Sequence, residues 1–145
     1  MTDALELEFT VNCTSEHAFE VWANRADMWW PRDHTRSGDP NTVVTFEPRP
    51  GGRVFERTPD GIEHEWGEAV SWEPPHRLEY LWHIYGERSE ATHVEITFKE
   101  VGDETHVTVR HTGWADLAEK GAQLRERNKH GWANLIKAYV PAAND

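Results

Sequence analysis

Between residues 93 and 114 the chain reads HVEITFKEVGDETHVTVRHTGW. Val94, Ile96 and Phe98 alternate with Glu95, Thr97 and Lys99; Gly102-Asp103 turns the chain; Val107, Val109 and His111 then share a second face. A period of two on both sides of a Gly-Asp turn reads as a β-hairpin with one buried face. After Gly113 the period changes. Ala118, Gly121, Leu124 or Arg125, Asn128, Trp132, Leu135, Ile136 and Tyr139 recur at three and four, which predicts a helix from about Trp114 to Val140 with Pro141 marking its end. At 1.5 Å per residue that helix is roughly 40 Å long, enough to lie across a whole sheet.

Upstream, the chain supplies the rest of that sheet. Leu5, Leu7, Phe9 and Val11 alternate with polar residues as in a half-buried strand. Thr14 and Ser15 can cap a short helix carrying Ala18, Phe19 and Trp22, and Arg25 to Trp30 offers one more turn, stopped by Pro31. Strands follow at Val43 to Phe46, Arg53 to Arg57 and Glu63 to Trp72, separated by Pro48, Pro50-Gly51-Gly52 and Pro59-Asp60-Gly61. Pro74-Pro75 ends the longest of them, and Leu78, Tyr80 and Trp82 alternate along the next. The expected fold is α+β: a curved antiparallel sheet of six to seven strands around a long C-terminal helix, with two short helices after the first strand, all in one domain over residues 1–145.

Composition bounds the function. A chain of 145 residues can bury roughly 70% of its unfolded surface. Eight tryptophans concentrate the apolar surface in large rings. A formal charge of −11 repels phosphate backbones and anionic headgroups, so neither nucleic acid nor a membrane surface is an expected partner. No apolar run approaches the ~20 residues that cross a bilayer. Cys13 is the single cysteine and cannot form an internal disulfide, and Met1-Thr2-Asp3-Ala4 opens no apolar signal region, so a reducing cytoplasm is the expected compartment.

The helix is unevenly apolar. Trp132, Leu135, Ile136 and Tyr139 glue its C-terminal half to the sheet, whereas Gly121, Arg125 and Asn128 in its middle fill no apolar core. A strongly curved sheet gripping such a helix leaves a concave space of the kind that takes apolar ligands. Trp30, Trp66, Tyr80 and Trp82 are placed to line it, with Ile96, His111, Leu124 and Asn128 as the remaining ligand-binding candidates, while Trp22, Trp114 and Trp132 read as core anchors.

These residues resemble a known family. Ala18-Phe19 with Trp22, Trp29-Trp30-Pro31, Pro50-Gly51-Gly52, Gly67 followed by Pro74-Pro75, Arg77-Leu78 with Trp82, Thr105, His111-Thr112-Gly113-Trp114 and Gly131-Trp132 stand in the order seen in the START-like (SRPBCC) superfamily, in its branch of heat-shock-protein ATPase activator homologues. The resemblance implies a helix-grip fold and, often, a hydrophobic small molecule in the cavity. That fold hosts lipid carriers, aromatase/cyclases and co-chaperone domains alike, so no single ligand or reaction is implied. The eukaryotic activator has an additional N-terminal domain for which this chain is too short, so chaperone activation is not expected.

Catalytic and metal chemistry find less support. Of nine histidines, His64, His83, His93, His106 and His111 fall on predicted strands, but no His-x-x-x-His, His-Glu-x-x-His or Cys-x-x-Cys spacing occurs, and neither a metal nor another cofactor is expected. Surface positions are the default for them. His111 continues the Val107 and Val109 face toward the cavity, either as a polar handle or general base, or as a residue closing the strand end through backbone bonds; the second reading is preferred because no carboxylate partner can be named. Glu56, Glu63, Glu65 and Glu68 read as a solvated outer face, with Glu68 a buried acid if it joins Trp66 and Trp72 inward. Of Arg125 and Asn128, the arginine is expected to point outward.

The leading expectation is therefore a module that binds a small hydrophobic or aromatic molecule, or a lipid, as carrier or sensor without turnover. One alternative is a cyclase- or hydrolase-type enzyme using His111 with Glu56 or Glu68, for which no nucleophile motif speaks. Another is a chaperone-interacting or regulatory domain docking a basic partner on the acidic surface. Trp29-Trp30 is read as a ring-rich edge serving as lid or homodimer interface.

Overall fold

Seven strands succeed one another along the chain: β1 (Leu5–Val11), β2 (Val43–Phe46), β3 (Arg53–Arg57), β4 (Glu63–Glu73), β5 (Arg77–Trp82), β6 (Thr92–Val101) and β7 (Glu104–Thr112). In this computed structural model, which describes residues 3–145, they form one curved antiparallel sheet in the order β1-β7-β6-β5-β4-β3-β2. Met1 and Thr2, the start of the stretch read as lacking a signal region, lie outside the described residues. From β2 onward each strand pairs with its successor, as short turns dictate. β1 closes the far edge beside β7, so the chain must cross the sheet between β1 and β2. It does so through α1 (Ser15–Ala23) and α2 (Ala26–Trp29). Thr14 caps α1, its hydroxyl accepting from the His17 amide at 3.2 Å.

The long helix differs from the expectation at both ends. A 3-10 turn spans Trp114–Leu117, Ala118 breaks the path with φ 52°, and α3 runs Glu119–Asn144. Pro141 lies inside α3 instead of ending it. In the last turn a proline forfeits a single backbone bond, and tertiary contacts hold the turn in place. Ala143 is buried, and Asn144 Oδ1 accepts from the Asn12 amide at 2.8 Å.

Trp22 centres the core. Its ring lies 4.9 Å from Trp29, 4.8 Å from Tyr139 and 5.9 Å from Trp132, so α1, α2 and α3 meet on one indole. Truncating a ring so placed costs about 3–5 kcal/mol. Trp29 and Trp30 belong to this core, at 7% and 3% exposure, and are neither a lid nor an exposed edge. Their indole N–H groups explain the inward position: Trp29 donates to the Val21 carbonyl at 2.8 Å and Trp30 to the His34 carbonyl at 3.0 Å, so burial leaves neither donor unpaired.

Two register shifts in β4 turn Glu68 away from the core. Gly67 and Ala69 stand opposite Trp82 and Tyr80, and a bulge at Trp66 turns that ring inward beside Gly67. A second irregularity at Val70 restores Trp72 to the inner face opposite Leu78. Glu68 pairs with Leu81 and faces outward, so it is not the buried acid. The buried acid is Glu56 on β3, which shares the inner face with Val54 and has no exposed surface. Strict alternation miscounts β4 because each bulge reverses the face of every later residue.

Candidate functional site

α3 packs on β1, α1, α2 and the preceding 3-10 turn, and has few contacts with the central strands. Between its middle and the β5–β6 end of the sheet a cavity of about 860 Å³ remains. Trp30, Tyr80 and Trp82 line it from the sheet side, Trp114 and Trp132 from the helix side, and His83 to Gly86 from the loop after β5.

Of the eight ligand-binding candidates, Trp30, Tyr80, Trp82, Leu124 and Asn128 lie on the wall. Trp66, Ile96 and His111 do not: all three are fully buried behind it. Trp66 stands 5.3 Å from Trp30 and 5.7 Å from Trp82, backing both rings. Asn128 lends its amide nitrogen to the Leu124 carbonyl at 2.8 Å, leaving its carbonyl oxygen as the freer end. Arg125 is only half-buried and binds the Asp3 carbonyl at 2.5 Å, tying down the N-terminal strand rather than pointing into solvent alone.

His111 holds the rings together. An indole N–H can only donate, so the 2.9 Å bond from Trp132 Nε1 makes His111 Nδ1 an acceptor. Nε2 therefore carries the proton and donates to Thr92 Oγ1 at 2.6 Å, and the threonine hydroxyl donates onward to the Trp82 carbonyl at 3.2 Å. Trp114 Nε1 donates to the His111 carbonyl at 3.0 Å. Three tryptophans of the wall are thus tied to one histidine, Trp132 and Trp82 through its ring and Trp114 through its carbonyl. Burial, and to a lesser extent the neighbouring His93, push its pKa down to about 3, so the ring is neutral. The preferred structural reading named backbone bonds; the ring's partners are side chains. The surface default also fails for His83, which lies just past the end of β5 and is buried.

Glu56 does comparable work on the other side. Oε1 accepts from the Arg36 amide at 2.6 Å, the Ser37 amide at 3.1 Å and Trp66 Nε1 at 3.0 Å; Oε2 accepts from Ser37 Oγ at 2.6 Å and Thr42 Oγ1 at 2.8 Å. Burial pushes this carboxyl up, but the donors from Ser37, Thr42 and Trp66 outweigh it and hold the pKa below the ordinary range. The acid–base pair of His111 with Glu56 or Glu68 is not formed. No hydrogen bond or ion pair joins them, and the first two are saturated by other partners.

Several wall residues escaped the sequence reading. Lys120, Gln123, Arg127, Gly131 and Asn134 recur at three and four, a helical face turned away from the one through Gly121 and Trp132. Gly121 sets that rotation: a Cβ there would lie 1.9 Å from the Trp114 carbonyl oxygen, so the helix rests directly on the 3-10 turn and leaves no gap at that point. His83, Ile84 and Tyr85 belong to a connection with no periodicity to read. His83 Nε2 lies 3.2 Å from Glu65 Oε2, while its Nδ1 is buried without a partner among the described residues. No three His, Cys, Asp or Glu side chains among the described residues gather as metal ligands, and no helix is long and apolar enough to cross a membrane.

A family model described as activator of Hsp90 ATPase homolog 1-like protein matches residues 12–139. The solution structure of CalC, a self-sacrificing resistance protein from Micromonospora echinospora, is similar at 26% identity and TM-score 0.74, over 97% of this chain and 93% of that one. The anthrahydroquino-γ-pyrone synthase Txn09 is 32% identical over 75% of each chain, with TM-score 0.55. Protein MLL2253 from Mesorhizobium loti shares the fold at 15% identity and TM-score 0.72, over 96% of this chain and 95% of that one. No curated protein matches in sequence. With the family model spanning all but the chain's ends and the helix-grip architecture in place, the chain belongs to the activator of Hsp90 ATPase homolog 1-like family of the START-like (SRPBCC) fold.

Proposed function

We propose that this protein holds a flat, apolar or aromatic small molecule in the cavity beside α3 and releases it unchanged, as a carrier or sensor. The observation that carries this reading is a space of about 860 Å³ walled by Trp30, Tyr80, Trp82, Trp114 and Trp132. That volume lies within the ~300–1,000 Å³ range of small-molecule sites. The rings are held by His111, by Trp66 behind them and by one another, so a ligand stacking on them has little side-chain entropy to freeze. The likeness to a synthase named for a fused-ring product supports a polycyclic aromatic ligand.

One observation favours a second reading. Glu65 orients the His83 imidazole beside the cavity and leaves Nδ1 unpaired, an arrangement suited to general-base work of the cyclase kind. Native mass spectrometry of the purified chain, at gentle and then denaturing voltage, tests the first reading. An adduct of a few hundred daltons released intact supports a carrier. Turnover of a polycyclic substrate that His83→Gln abolishes supports the enzyme instead. If no adduct appears and no polycyclic aromatic from a broad panel binds, both readings fall.

A further inference from the structure

The cavity mouth inverts the charge balance of the chain. Acidic side chains outnumber basic ones 26 to 15 overall, yet the wall carries Lys120 and Arg127 against one acid, Glu90. Glu90 is already engaged: Lys120 Nζ lies 3.0 Å from its Oε2, and its other oxygen accepts from the Glu87 amide at 3.3 Å. Arg127 is left over. Its neighbours at three and four along α3 are Gln123, Leu124, His130 and Gly131, none of them acidic, and it forms no ion pair among the described residues. Its guanidinium instead lies 5.6 Å from the centre of the Tyr85 ring, across the mouth on the loop after β5.

An unpaired guanidinium in an acid-rich protein, stacked on an aromatic ring at the rim of an aromatic cavity, is a waiting partner for an anion. Arginine suits that role because its planar fork bonds a carboxylate with two donors. We propose that the cavity's ligand is an aromatic acid: a flat ring system seated against Trp30, Tyr80 and Trp82, with an anionic oxygen group at the mouth bound by Arg127. This inference rests on the cavity-binding reading and adds the class of ligand. Lys120, paired with Glu90, contributes no net charge to the wall.

Fluorescence titration of the full chain with anthracene-2-carboxylate and with its neutral amide tests the proposal. The two probes share a ring system and differ in charge. The wild type is expected to bind the acid about five-fold more tightly, the size of a charge-assisted contact at a solvated rim. Arg127→Gln removes that preference and keeps the amide affinity, which also reports that the variant is folded. Lys137→Gln, an exposed charge off this wall, makes the same change in net charge and keeps the preference. Equal binding of acid and amide by the wild type, or a preference that survives in Arg127→Gln, overturns the acid assignment and leaves the aromatic cavity standing. Failure of both probes to bind overturns the assignment and the cavity reading together.

Discussion

The Trp132 indole donates to His111 Nδ1 at 2.9 Å, across the junction of α3 and β7, and that bond fixes both the tautomer and the charge of the histidine. A protonated ring would present an N–H to the indole N–H, so protonating the folded protein here costs this bond. His111→Ala orphans the Trp132 donor in a buried site and opens a void beneath Trp114, at a cost of about 2–4 kcal/mol. The measurement is a shift of the urea midpoint at pH 7 with an unchanged slope on denaturant.

The same bond sets an acid dependence. An unfolded histidine takes a proton near pH 6.5, whereas burial and His93 hold the folded His111 down to about 3. Between those values the unfolded chain binds more protons, so stability falls as the pH falls. Denaturant midpoints at pH 7, 6 and 5 should therefore decline in the wild type, and His111→Ala should flatten the decline. Below pH 5 Glu56 adds to it, since its folded pKa is also depressed and its protonation breaks the bonds it accepts.

Glu56 accepts five hydrogen bonds and offers none, so its charge cannot be replaced by an isostere. Glu56→Gln places an NH₂ against donors from Arg36, Ser37, Thr42 or Trp66. The expected loss is about 2–4 kcal/mol. Amide exchange at Arg36 and Ser37 should accelerate more than exchange in β6 and β7, because the lost bonds tether the segment before β2. Uniform acceleration across the sheet would contradict that tethering role.

The elements were legible because their periods are long and clean: β6 and β7 alternate without interruption, and α3 keeps its apolar stripe through Trp132, Leu135 and Tyr139. The site was legible only in part. Trp30, Tyr80 and Trp82 lie where alternation and chain order place them, but the bulge at Trp66 and the irregularity at Val70 leave no mark in residue type, and they decide that Glu68 faces outward. The rotation of α3 is set by one backbone contact at Gly121, which no hydrophobic pattern records. Loop residues such as His83 and Tyr85 reach the cavity through the path of a connection that carries no period.

Two glycines of α3 separate packing from propensity. At Gly121 a Cβ would press on the Trp114 carbonyl oxygen at 1.9 Å, whereas at Gly131 it meets nothing within 4 Å. Gly121→Ala should therefore destabilise by about 2–3 kcal/mol, since helix and 3-10 turn must part. Gly131→Ala should stabilise by about 0.5–1 kcal/mol through helix propensity alone. Because Gly131 lies on the cavity wall, Gly131→Phe turns the same open space into a block: the fold persists while affinity for a polycyclic aromatic drops at least ten-fold. Thermal melts and ligand titrations on the three variants read both effects, and a Gly131→Phe variant that binds as tightly as the wild type would move the ligand away from the α3 wall.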